Sequence, residues 1–365
     1  MSYLDMVPQR RGTRWLWASL LVALSSAIAF ASPQADQSAP DLQPIKDYTL
    51  NQARLMQTAT ERLNQMAADY EALLGRHGGN YETAWKAEPA ALRNLLVAGR
   101  AAWVDASTFY ELSEGIIAGV PSLAFYDTWI DAGPSGAEDP AEAIDWTLEV
   151  ADGRVLDKPG NLFHHLTEPV LWGTVDEWTG ARVDLDGDGQ IAAVADALPE
   201  TAILMAVSGA IDGAAAEMAE AVTAWSPTLP DVFTALVVMV PTMNEYFEQW
   251  KESRYVAGGD STEISFVAVS RLFDINGILA GLDLAYDHVS PLVAGADADL
   301  DSRINEGFTQ LVGYVSSLYE EERAGRQFTA AEADLFGTEA QELATTLSAL
   351  LARAAELLEI RLDLA

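Results

Sequence analysis

Apolar residues recur at helical spacing along most of this chain. Between 48 and 75, Leu63, Met66, Tyr70, Leu73 and Leu74 fall on one stripe of a helix, and Gly75 with Gly78 and Gly79 ends it. A second stripe starts after Pro89 and carries Leu92, Leu96, Trp103 and Tyr110 toward Glu114. Further helical patterns cover 201–225, 231–254, 264–293, 300–322 and 330–362. Alternating β-branched runs, which a sheet would need, are few. Long helices with short polar joints predict an all-α fold, an antiparallel helical bundle. Two longer joints, 132–146 and 174–200, interrupt it, and such loops often carry function.

The first 31 residues follow a different pattern. Arg10, Arg11 and Arg14 precede an apolar run from Trp15 to Phe30, and Ala29 and Ala31 supply the small residues of a cleavage site. The run is shorter than the about 20 residues a membrane span needs. This predicts a signal peptide over 1–31, cleaved near Ala31, with no stable membrane insertion afterwards. Residues 32–46, polar and Pro-rich, read as a linker, and 47–363 as the helical domain. The expected location is the periplasm.

Charge narrows the partners. Against 21 Lys and Arg stand 55 Asp and Glu, a net charge of −34, so no surface is basic enough to track a phosphate backbone and nucleic acid is excluded. With 50% hydrophobic residues and 10 Trp, the chain has material for a core and is no disordered acidic tail. The acid excess fits either a surface kept soluble in salt or a protein that handles cations. There is no cysteine, which removes disulfides, thiolate metal sites, cysteine nucleophiles and lipoprotein anchoring. Any imidazole chemistry must use His77, His164, His165 or His288.

The stretch from Phe163 to Gly173 holds the strongest chemical signal. His165 and Glu168 are three apart, so on a helix they share a face and can grip one ion. Upstream, Glu111 and Glu114 repeat that spacing. Carboxylate and His pairs on facing helices are how bundle metal sites are built, and one imidazole among carboxylates suits iron, manganese or zinc. His164 points about 100° away on a helix and reads as structural or exposed; His77 reads as a turn residue and His288 as surface. Separately, Asp184, Asp186 and Asp188 with Gly189, Gln190 and Ile191 match the start of a calcium loop. Its twelfth position is Ala195, with Asp196 one residue late. The run Asp297 to Asp301 has Ser302 where glycine is needed and reads as a loop into a helix.

These segments resemble the imelysin family and, within it, the periplasmic iron-uptake components EfeO and EfeM. The family's Gly-x-His-x-x-Glu motif, running on to Leu-Trp-Gly, is matched by Phe163-His164-His165-Leu166-Thr167-Glu168 and Leu171-Trp172-Gly173. Tyr110 to Glu114, Ile130-Asp131-Ala132, Phe273 to Gly277 and Ala285 to Leu292 resemble other family segments in the right order. Phe163 replaces the family glycine, and Pro169 follows Glu168. The resemblance implies a metal site of Glu111, Glu114, Asp131, His165 and Glu168. It implies iron, or another divalent metal such as zinc, bound for delivery to an inner-membrane permease. Two alternatives stand beside it. The family's historical name suggests a metallopeptidase, although the chain has no His-Glu-x-x-His. Some relatives bind acidic polysaccharide, which the net charge opposes.

Overall fold

The computed structural model describes residues 40–364; the cleavage signal and most of the linker lie outside them. The helical domain begins at Gln43 rather than 47, because Pro44 occupies the first turn of a helix, where its missing N–H costs nothing. The helices are α1 (Gln43–Arg76), α2 (Tyr81–Ala87), α3 (Pro89–Ile117), α4 (Ala124–Asp127), α5 (Glu168–Trp172), α6 (Thr201–Ala224), α7 (Leu229–Met239), α8 (Met243–Glu252), α9 (Arg271–Ala296), α10 (Ala298–Arg323) and α11 (Ala330–Leu357). Several of their starts are fixed by side chains that accept orphan backbone N–H groups. Asn80 caps α2 and Asp297 caps α10, while Thr228 with Asp231 and Thr329 with Glu332 close capping boxes on α7 and α11. Each such cap contributes about 1 kcal/mol.

The bundle is antiparallel, as the helical pattern predicts. Arg62 pairs with Asp105 and Arg76 with Glu88, so α1 and α3 run in opposite directions. Lys46 reaches the Thr223 carbonyl while Thr60 bonds Asp212, which sets α6 the same way against α1. Asn276 with Ser316 and Tyr286 with Asp301 align α9 and α10; Asn244 with Gln341 and Lys251 with Asp334 align α8 and α11. By length and composition α6 could cross a membrane, but half of its most apolar window is buried in this fold, and it packs on α1.

Helices α3 and α9 approach closely. A methyl group on Gly281 would lie 2.5 Å from the Leu112 carbonyl oxygen, and one on Gly115 would lie 2.6 Å from Leu282. That contact brings Glu111 and Glu114 of α3 alongside the start of α9.

Two predicted helices differ from the structure. The 231–254 pattern is broken at Pro241, which has non-helical backbone angles in a 3₁₀ turn, Val240–Thr242, because proline has no N–H to continue the ladder. The 264–293 pattern begins seven residues late, at Arg271. The N–H groups of Phe266, Val267 and Ala268 all donate to Glu168 instead, and Phe266 takes a positive φ of 52°. The two long joints each carry a small antiparallel hairpin, β1 (Thr147–Glu149) with β2 (Val155–Asp157) and β3 (Thr179–Arg182) with β4 (Ala197–Pro199).

Candidate metal centre

Helix α3 offers Glu111 and Glu114 from its last turns, 1% and 2% exposed. Facing them, Asp131 (3% exposed) sits in a π-helical turn, Thr128–Ala132. One oxygen from each of these three carboxylates lies within 4.8 Å of the others. Neither oxygen of Glu111 has a hydrogen-bond partner, nor has Oε2 of Glu114. Oε1 of Glu114 accepts from the Tyr246 hydroxyl at 2.7 Å.

Three buried carboxylates cannot all stay charged unless a cation or protons join them. Burial, with Asp274, Glu114 and Asp131 nearby, pushes Glu111 well above the usual carboxylate range. Burial and Asp131 push Glu114 up to about 7. Asp127, which accepts a 2.6 Å bond from Tyr110, is raised well above its ordinary value by burial and then by Glu114 and Asp131. Asp131 goes the other way: burial opposes its charge, but His164 beside it holds it below the usual range.

His164, not His165, is the imidazole of this centre. Residues Leu162–Thr167 form a second π-helical turn, whose i→i+5 bonding inserts an extra residue per turn. Thr167 Oγ1 donates to the Leu162 carbonyl across that widened turn, and Pro169, which has no N–H to offer, lies at the junction with α5. In this register His164 and Glu168 face each other. His164 Nδ1 is 3.0 Å from Glu168, and its Nε2 is 3.0 Å from Asp131. Burial disfavours its charge, but Asp131 and Glu168 outweigh that and raise it to about 9. Both ring nitrogens lie against carboxylates, which favours the charged form and leaves neither nitrogen free.

The expected pairing of His165 with Glu168 therefore does not form. His165 turns outward, 2.6 Å from exposed Glu138, with its ring over Gly160. Glu168 is fully buried and accepts from His164 and from three backbone N–H groups at 2.8 to 2.9 Å, which commits its oxygens to holding residues 266–268. Phe163 does not crowd a helix contact; it fills a core position edge-on to Trp103 and Tyr110.

A cavity of about 430 Å³ opens onto the centre. Glu114, Asp131, His164, Tyr246 and Arg271 line it, and Glu138 and His165 stand at its exposed rim. Arg271 is buried, bonded to Asp274 and Gln249 at 2.8 Å each. Burial pushes Asp274 up to about 6 despite that guanidinium, and its Oδ1 has no partner.

The profile of the imelysin family matches residues 90–354. This chain belongs to the imelysin family. Among curated proteins it has no match. In this imelysin-family chain the match takes in the whole carboxylate cluster, α3 and α9 together. It also takes in the Asp184 loop, where one oxygen each of Asp184, Asp186 and Asp188 lies within 4.8 Å of the others. That loop is folded by its own carboxylates: Asp184 accepts from Gly187 and Gly189, Asp186 from Asp188, and Asp188 from Gln190. Asp196 does not reach in as a twelfth-position ligand would; it accepts from Leu185 and Ala192 and closes the loop from behind.

Sequence reasoning missed His164, Asp127, Tyr246 and Arg271. For His164 the i,i+4 spacing to Glu168 was as available as the i,i+3 spacing of His165. Asp127 likewise stands four before Asp131. Arg271, a charge inside an otherwise apolar helix start, carried a signal too. Tyr246 had none.

Proposed function

We propose that this chain is an exported metal-binding protein that takes up iron at Glu111, Glu114 and Asp131 and releases it to an inner-membrane permease. The observation that carries the reading is the three buried oxygens of Glu111 and Glu114 on α3 with no donor, beside an oxygen of Asp131. Oxygen donors favour hard cations over soft ones, and the choice of iron among them rests on the family resemblance. Membership of the imelysin family and the charge of −34, which raises the local cation concentration, point the same way. His164 acts from behind, fixing Asp131 as a charged carboxylate. His165 and Glu138 at the rim are a first contact for an arriving cation.

The peptidase reading has less support. Hydrolysis at a metal needs a free base beside the metal-bound water, and Glu168, the carboxylate of the motif, is committed to four donors. On the same reading the Asp184 loop takes calcium through Asp184, Asp186, Asp188 and Gln190, a weak site lacking its final bidentate carboxylate.

Anaerobic titration of Fe²⁺, and of Zn²⁺ and Ca²⁺ in parallel, into wild type and a Glu111→Gln/Glu114→Gln variant tests the centre. The variant should lose at least about tenfold in Fe²⁺ affinity. Equal affinity in both proteins would falsify the site. Metal-dependent cleavage of an unfolded protein, absent in the variant, would promote the peptidase.

A further inference from the structure

The cavity beside the carboxylates is much larger than one ion, and its far wall is a cation. Arg271 is 3% exposed and rigidly held. Its Nη1 donates to Asp274 and its Nε to Gln249, while the guanidinium carbon lies 4.7 Å from the ring centre of Tyr246 and 4.5 Å from that of Phe266. Nη2 has no hydrogen-bond partner among the described residues, and it is not among the sealed orphan atoms, so it keeps accessible surface. Arg271 lies within electrostatic reach of Glu111 and Asp131. Its only ion pair within 4.0 Å among the described residues is with Asp274. A gap therefore separates the guanidinium from the carboxylate cluster, and Arg271, Glu114 and Asp131 line one cavity of about 430 Å³.

On the metal-binding reading above, we propose that the cavity takes its cation together with a small carboxylate-type oxyanion, carbonate or an organic carboxylate, held between the metal and Arg271. Glu111, Glu114 and Asp131 bring one oxygen each to the cluster, so an ion of four to six coordination keeps positions for water or a ligand from solution. A planar guanidinium is the protein group best matched to a carboxylate or carbonate edge. Without it, a negative ligand would be repelled by so many acidic groups. No bond is made or broken within the anion; it fills coordination positions and the Nη2 donor at once.

Zn²⁺ and anaerobic Fe²⁺ titrations of metal-stripped full-length protein test this, in carbonate-free buffer and then with bicarbonate or malonate added. Free metal is corrected for complexation by the anion. In wild type, at least one anion should tighten metal binding by about tenfold or more, the scale of one charge-assisted hydrogen bond. Bicarbonate acting alone identifies carbonate, and malonate acting alone identifies an organic carboxylate. In an Arg271→Gln variant, the ratio of affinities with and without anion should fall to about one, whatever the absolute affinity. Should that variant fail to fold by circular dichroism, native mass spectrometry of wild type decides: one oxyanion retained per metal supports the proposal, and metal alone overturns it. Metal binding indifferent to both anions also overturns it while leaving the metal centre intact. No metal binding at all removes both readings.

Discussion

Both ring nitrogens of His164 are taken up by carboxylates, and that geometry sorts the two histidines of the motif. A ring held between Asp131 and Glu168 orients a ligand without being one. His164→Ala should weaken Fe²⁺ or Zn²⁺ binding by about 10- to 100-fold, the usual cost of losing such a support. His165→Ala should cost less than that, and calorimetric titration of both variants checks the order. Asp127 makes a pH-dependent prediction. Its folded pKa is raised by burial first and then by Glu114 and Asp131, so the folded state favours its protonated form, and stability is lost as pH rises above the ordinary aspartate range of about 4. Asp127→Asn keeps the acceptor for Tyr110 and removes that penalty. The metal-free variant should melt about 2 °C or more above wild type at pH 7 and level with it at pH 4. A lower melting point at pH 7 would sink this account. The candidate site is partly legible in the sequence: Glu111 and Glu114 stand out by their spacing, Asp131 only through the family resemblance, and the three do converge. Which histidine joins them is not legible, because i,i+3 and i,i+4 are equally good neighbours in an ordinary helix.

At the scale of elements, the centre depends on two π turns and one tight helix crossing. An extra residue in a helical turn changes every facing position after it but leaves no trace in composition. Long helices are readable for the opposite reason: stripes such as Leu63, Met66 and Tyr70 repeat over many turns, so small local errors do not matter. The start of α9 is hidden from sequence because Glu168, about a hundred residues away, takes its preceding N–H groups, and no local pattern encodes so distant a partner. At the α3–α9 crossing, Gly281→Ala would put a methyl against the Leu112 carbonyl. It should destabilise by about 1–3 kcal/mol and weaken metal binding by shifting Glu111. Gly209, mid-way along α6 with nothing within 4 Å of where a methyl would stand, is the contrast. Gly209→Ala should stabilise by about 0.5–1 kcal/mol. Chemical denaturation of both variants measures the pair.

Across the whole molecule, Glu168 is the tie that joins the motif to the segment before α9. Substituting Glu168→Ala leaves three backbone N–H groups and the Nδ1 side of His164 without a partner, each a costly loss. Hydrogen exchange at residues 266–268 should speed up markedly in that variant, well beyond any change in α10 or α11. Uniform exchange across the chain would show that the tie is not local. Most of the −34 has no share in this, since the acids of the centre and its clamp are few and the rest is a solvated surface.

The same tie sets an order of events during biosynthesis. Glu111, Glu114 and Asp131 leave the ribosome early, but Tyr246, Arg271 and the N–H groups that pin Glu168 arrive more than a hundred residues later. Until they do, the three carboxylates have neither roof nor clamp. The centre is complete only once residues from Glu111 to Arg271 have packed together.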